Sequence, residues 1–180
     1  MTNQVDDCGG GAPDGRRFYG KYRGLVTKNN DEMFLGRIKA TVPDVLGSKE
    51  SGWAMPCMPF GGDGMGMFCL PKVGAGVWIE FEHGNPDYPI YTGSWWGAIS
   101  QVPSDVYGPV PWKKLMMKTE GGSVFIMDDT PVTGGITLKT SGGQLIKLTQ
   151  QGIEITFGPG RTIKLAADGL KVFDTALEVT

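Results

Sequence analysis

From Gly121 to Thr180 the chain alternates apolar and polar residues with a period of two. The apolar positions come in short sets: Val124/Ile126, Ile136/Leu138, Ile146/Leu148, Ile153/Ile155/Phe157, Ile163/Leu165 and Leu170/Val172. Residues two apart point to the same side of an extended strand, so each set predicts a strand with one apolar and one polar face. Glycines break the pattern at Gly135, Gly143, Gly152, Gly160 and Gly169, at spacings of 8, 9, 8 and 9. That is an internal repeat of one strand plus one turn, a pattern of solenoids and fibres rather than of a sandwich. No helical period follows that could cover the apolar side. Folded alone, such a segment leaves that side wet, so its core is expected to form with other copies of itself.

Upstream the pattern is also extended but irregular. Phe18–Lys28 predicts a first strand, bent where glycines interrupt it. Met33–Val42 predicts a second, with Phe34, Gly36, Ile38 and Ala40 on one side and Leu35, Arg37, Lys39 and Thr41 on the other. Trp53–Pro59, with two prolines, predicts an edge strand, and Met67–Pro71 a short one. Val77–Glu82 alternates cleanly, Val77/Ile79/Phe81 against Trp78/Glu80/Glu82, and Ile90–Trp96 follows a turn. Five or six short strands without a helix predict a small barrel, OB-like first and SH3-like second. The domain organisation expected is a flexible arm over 1–17, a barrel over 18–97, a linker over 98–114 and the repeat region over 115–180. The arm is Gly-, Asp- and Pro-rich without periodicity, and the linker is proline-rich and aperiodic.

Composition refines this picture. Glycine makes up 29 of 180 residues, far above the usual share of about 7%, without a collagen period. The glycines sit at turns between extended runs. The formal net charge is −2 with the signs interspersed, which argues against a dedicated nucleic-acid binder and against a polybasic membrane anchor. No apolar run reaches the length of a membrane-spanning helix, and MTNQVDDCGGG is not signal-like. Synthesis in a cytoplasm without Sec export, with no signal peptide, is the expectation. Cys8, Cys57 and Cys69 are an odd number with no CxxC, read as free thiols; a Cys57–Cys69 bridge across a hairpin stays possible.

The upstream residues carry a resemblance. GRIKATVPDV, W-A-x-P at Trp53, the run Pro71–Glu82 and GNPDYPIYTG at Gly84–Gly93 resemble the N-terminal OB domain of contractile-tail spike proteins. These are the phage baseplate assembly protein V and central spike group and the VgrG-like spikes of type VI and related injection systems. KTEGGSVFIMDDTP followed by GGITLKTSGGQLIKLTQQGIEI is similar to the start of that family's triple-stranded β-helix. The resemblance covers about residues 18–180. It implies an all-β fold, an OB barrel followed by an intertwined trimeric β-prism. It implies a homotrimer whose collar joins baseplate hub or tube proteins and whose shaft points at the target cell envelope. The segment between barrel and repeats is too short for the lysozyme domain of some phage spikes. With one histidine, His83, the chain lacks the HxH iron apex of others, and a separate PAAR-like tip protein is expected. Nothing in this places the machine among phages, tailocins or secretion-type injectors.

Candidate chemistry is sparse. His83 lies in a turn with no nucleophile motif nearby. Glu80 and Glu82 share a strand face, as glycosidase carboxylates could, but suit a polar surface or a subunit contact better. Asp128 and Asp129 precede Thr130-Pro131 and read as turn caps. GGDGMGMF (61–68) lacks the Lys-Ser/Thr of a phosphate loop. No catalytic residue, cofactor or metal is expected. Trp78 is read as core. Trp95, Trp96 and Trp112 are read as a hub or collar interface, since buried aromatics anchor such contacts. The structural site expected is a shared trimer core of Ile136, Leu138, Ile146, Leu148, Ile153, Ile155, Phe157, Ile163, Leu165, Leu170 and Val172. The competing reading is an OB module that binds a glycan or an effector on a trimeric stalk.

Overall fold

A computed structural model describes residues 15–108, 113–172 and 177–179, with the backbone alone for the last three. The described chain forms two units, divided after Gln101.

The first unit holds β1 (Tyr22–Lys28), β2 (Lys39–Thr41), a single helical turn α1 (Pro43–Leu46), β3 (Met55–Pro56), a small hairpin of β4 (Gly61–Gly62) and β5 (Met65–Gly66), β6 (Gly76–Phe81) and β7 (Pro89–Trp95). β1 pairs antiparallel with β2 and with β6, β6 pairs antiparallel with β7, and β7 pairs in parallel with β3. Ile38 and Ala54 then exchange both backbone hydrogen bonds, at 3.2 and 2.7 Å, just before β2 and β3. That bridge joins the two edges of the curled sheet. The ring runs β1-β2-β3-β7-β6 and back to β1, a five-stranded barrel of the OB type.

Its core is the inward parity of those strands. Val26, Ile38, Ala40, Val42, Ala54, Val77, Ile79, Phe81 and Tyr91 are buried together. Val77, Ile79 and Phe81 face inward, as the alternation in β6 predicts. Phe18, Tyr22 and Phe81 close one side of the core with ring centroids 5.8–6.3 Å apart.

The strand expected over Met33–Val42 survives only as β2. The cause is one carboxylate. Asp31 accepts backbone N–H bonds from Met33 (3.1 Å), Leu35 (3.0 Å) and Arg37 (3.3 Å), and its side chain is 3% exposed. Arg37 grips it with Nε at 3.1 Å and Nη2 at 2.6 Å. Three amides that a strand would use for pairing are drawn inward instead, a local competition typical of Asp. The chain turns with Phe34 at φ 56° and Gly36 at φ 72°. The left-handed Phe34 costs about 1–2 kcal/mol, offset by the charge-assisted bonds.

The Arg37 guanidinium and those amides hold the Asp31 carboxyl far below the usual carboxylate range. The folded state therefore binds its proton less readily than the unfolded chain. The resulting stability is present above the unfolded value of about 4 and is lost progressively as pH falls below it. Asp31→Asn should lower the melting temperature of the first unit by several degrees at pH 7, and the gap from wild type should shrink as pH drops below about 4. A calorimetric pH series checks both statements.

The same loop is pinned from beneath. The buried Tyr91 hydroxyl donates to the Gly36 carbonyl at 2.7 Å, and burial pushes the phenol up to about 12. Tyr91→Phe leaves that carbonyl without its donor, so the first unit should lose about 1 kcal/mol in urea titration, with an unchanged slope.

Three other segments are shorter than the alternation suggests. Phe18–Tyr19 precede β1 because Gly20 turns the chain at φ 91°. Trp53–Pro59 keeps only β3, since its prolines cannot donate to a ladder. Met67–Pro71 is irregular. PDVL makes the turn α1 with proline at its start. Cys57 and Cys69 are free and exposed, without a bridge between them.

The second unit is a single antiparallel meander. Its strands are β8 (Lys114–Lys118), β9 (Val124–Asp128), β10 (Gly135–Lys139), β11 (Leu145–Thr149), β12 (Gly152–Gly158), β13 (Arg161–Ala166), β14 (Gly169–Val172) and β15 (Leu177–Val179). Each pairs with its sequence neighbours, so the order in the sheet is the order in the chain. Two short 3-10 turns, Ile99–Gln101 and Ser104–Val106, lie in the stretch expected as a linker. The protein is thus all-β, an OB-type barrel followed by a C-terminal sheet.

Candidate functional site: one face of the C-terminal sheet

Register decides which side chains share a face, and here it lines up the apolar ones strand by strand. Ile136 stands opposite Leu148, and Leu138 opposite Ile146. Ile146 stands opposite Ile155 and Leu148 opposite Ile153. Ile153 faces Leu165 and Ile155 faces Ile163. Ile163 faces Val172 and Leu165 faces Leu170. The residues expected as the core therefore form two parallel apolar rows running across the strands, with Phe157 at one end of β12. The rows continue to β8 and β9 through Phe125 and Met127, paired with Met117 and Leu115.

This corrects one reading. Val124 and Ile126 were expected on the apolar side, yet they pair with Lys139 and Thr137 and belong to the other face. In VFIM every residue is apolar, so alternation within β9 carries no parity; its neighbours set it. Leu115, Met117, Phe125 and Met127 are the residues missed, and the signal was the pairing register alone.

The opposite face carries a central row of Thr137, Lys147, Glu154, Lys164 and Lys171, each paired with the next. Glu154 between two lysines is a favourable cross-strand arrangement. At the base of the sheet Lys118 is paired with Asp105, and Lys114 with Asp128 at 3.8 Å. One side of the sheet is thus suited to water and the other is not.

Ile136, Leu138, Ile146, Leu148, Ile153, Ile155, Ile163 and Leu165 are between 39% and 50% exposed in a single chain. A continuous apolar face of this extent is far from the scattered surface residues of a monomer. Each of these side chains gains about 1.5–3 kcal/mol when fully covered, before entropy.

The turns obey two different requirements. Gly135 and Gly152 open β10 and β12 at φ 148° and 141°. A Cβ there would sit 2.0 Å from the Leu148 carbonyl oxygen and 2.1 Å from that of Leu165. Alternate glycines of the repeat are therefore places where the neighbouring backbone passes with no room for a side chain. Gly143 and Gly160 lie at open corners, with nothing near and only their positive φ to satisfy.

Other singled-out residues do not converge on a reactive centre. Glu80 pairs with Lys21 at 2.6 Å, and the same ammonium donates to Thr92 at 2.8 Å. His83 is exposed in a 3-10 turn at φ 50°. Asp128 caps its turn, accepting from the Thr130 amide at 2.9 Å and its hydroxyl at 2.5 Å. The Trp95 indole donates to the Val77 carbonyl at 3.1 Å, and its ring lies 6.4 Å from that of Trp78. Arg23 stacks over both rings, at 5.2 and 5.8 Å. Trp96 is 65% exposed, and Trp112 lies outside the described residues. Among the described residues no group of three or more His, Cys, Asp or Glu is placed to hold a metal. Nor is any helix among them long and apolar enough to cross a membrane.

Comparison with known proteins places both units. Residues 22–96 match the type VI secretion system and phage-baseplate injector OB domain. Residues 114–178 match the phage baseplate V C-terminal trimerisation domain. The chain belongs to the phage baseplate V and VgrG-like spike family. A type VI secretion system spike protein, VgrG3 of Vibrio cholerae serotype O1, is 30% identical over 103 residues. That stretch is 53% of this chain and 10% of the relative, so the chain corresponds to a small part of the larger spike. Membership makes the apolar face part of a trimerisation domain. It also agrees with the homotrimer, the structural spike role and the place in a virion or injection-system particle expected from the sequence.

Proposed function

We propose that this chain is the structural central spike of a contractile injection machine. Three chains place the apolar faces of their C-terminal sheets against one another and wind into a β-prism. Ile136, Leu138, Ile146, Leu148, Ile153, Ile155, Phe157, Ile163, Leu165, Leu170 and Val172 form its interior, joined by Leu115, Met117, Phe125 and Met127. In this reading 18–97 is the barrel collar, 98–114 the connection and 115–180 the shaft. The collar caps the hub or tube, with Trp95, Trp96 and Trp112 at that contact. The shaft carries a separate PAAR-like tip and is driven through the target envelope when the sheath contracts. Its work is mechanical: closure pairs the backbone along the shaft and leaves no loose edge to fray under load.

The observation that carries this is the unbroken apolar face in a segment that matches a trimerisation domain. Light scattering on the full chain should return three times its 19.3 kDa mass. Labelled protein should appear at the baseplate end of particles in electron micrographs. A monomer in solution removes the prism; a trimer that never enters particles and instead binds glycans favours a stalked binding module.

A further inference from the structure

The barrel carries a second unpartnered apolar surface, distinct from the shaft face. At its centre is the loop held by Asp31, which presents Met33 at 64%, Phe34 at 90% and Leu35 at 48% exposure. Beside it stands the Gly-rich hairpin of β4 and β5, with Phe60, Met65 and Phe68 at 56%, 65% and 71%. The two are contiguous, because the Phe68 ring lies over Gly36, 3.0 Å from where a Cβ would be. The hairpin is tied by the Met67 amide to the Phe60 carbonyl at 3.3 Å.

Three phenylalanine rings so exposed present on the order of 400 Å², before the methionines and Leu35 are added. That exceeds scattered surface apolarity and approaches the roughly 800 Å² per partner of a standard interface. The loop is also preorganised. A carboxylate that binds three amides and a guanidinium keeps Phe34 in a left-handed conformation without any partner present. A contact made by such a loop loses little entropy on forming.

We propose that this surface is the contact between neighbouring barrels in the trimer, the knob of one chain seated on the barrel of the next. The proposal rests on the trimer reading above. Assembly of residues 114–178 tethers three barrels through the short segment after Trp95. A tether of that length holds them at millimolar effective concentration. The occupant with the greatest access to the knob is therefore another copy of this chain. Around a three-fold axis the contact is head-to-tail and closes after three copies, so all three knobs are covered.

The test places the photo-crosslinking residue p-benzoylphenylalanine at Phe34, where 90% exposure leaves folding unaffected. The full chain is purified alone, its mass measured by light scattering, and then irradiated. The expected result is a trimer that yields covalent dimers and trimers on a denaturing gel, with mass spectrometry placing the linked peptide within residues 15–101. Adding Phe68→Ser should reduce the linked product several-fold while the trimer mass stays unchanged. A trimer whose chains remain unlinked overturns this contact and leaves the shaft reading intact. Linkage to a different protein in assembled particles but not in the purified trimer overturns it in favour of that partner. A monomer before irradiation overturns both readings.

Discussion

Ile155→Asp should leave the full chain monomeric, with its barrel still folded. Ile155 lies in the inner rows, paired with Ile146 on one side and Ile163 on the other. It is 43% exposed in one chain, and in the prism proposed above it is covered when three chains meet. The substitution removes about 1.5–3 kcal/mol of burial per chain. It also forces three carboxylates together near one axis, at several kcal/mol each. No single-chain rearrangement relieves this, because a shift of register by one residue would turn every apolar side chain outward. The matching control is Thr137→Asp, on the opposite face beside Lys147. It introduces the same charge where water and a lysine receive it, and should leave the trimer intact. Light scattering and detergent gels distinguish the two variants. A heat- and detergent-resistant Ile155→Asp trimer would show that the apolar rows are not the shared core.

The second large effect concerns glycines that look equivalent in the repeat. Gly152→Ala should cost about 3 kcal/mol or more per chain, the range of severe backbone conflicts. Its new Cβ would lie 2.1 Å from the Leu165 carbonyl oxygen, against rigid paired backbone rather than a movable side chain. The start of β12 must separate from β13, and the defect recurs in all three chains. Gly160→Ala meets open space and bears only its left-handed φ of 68°, worth about 1–2 kcal/mol. Guanidinium unfolding of the trimer should therefore place the Gly152 variant well below the Gly160 variant. Equal losses would mean that turn conformation, not strand proximity, governs both.

The contrast marks what could be read from residues alone. Extended backbone puts alternate side chains on opposite sides, so the apolar sets of β10 to β14 announced their common face. They did so because each strand holds polar residues between its apolar ones. β9 did not, since VFIM offers no polar marker, and only pairing with Ile136 and Leu138 assigns Phe125 and Met127. The barrel was legible through Val77/Ile79/Phe81 in β6. Its closure was not, because the Ile38–Ala54 bridge joins single residues at strand ends. The loss of the strand over Met33–Arg37 came from Asp31, whose carboxylate outcompetes pairing for three amides. Alternation counts hydrophobicity and does not register a polar side chain that bonds its own backbone. The trimer core remains a reading built on that legible face. Of the expected interface of Trp95, Trp96 and Trp112, Trp95 is engaged within its own barrel, its indole donating to the Val77 carbonyl.

In the C-terminal sheet every strand pairs with its neighbours in sequence. Such a sheet has no long-range closure to fix its size, and each added strand extends it by about 4.8 Å. Two strands and two turns return the chain to the same direction with the same side inward. In the prism proposed above, shaft length is therefore a quantity that duplication or deletion of one hairpin would change by nearly 10 Å per step without redesigning the interior. The sequence acts as a ruler whose marks are its alternating glycines. In the proposed spike, reach toward a thicker or thinner envelope would be adjusted by counting hairpins, with the barrel left as it is.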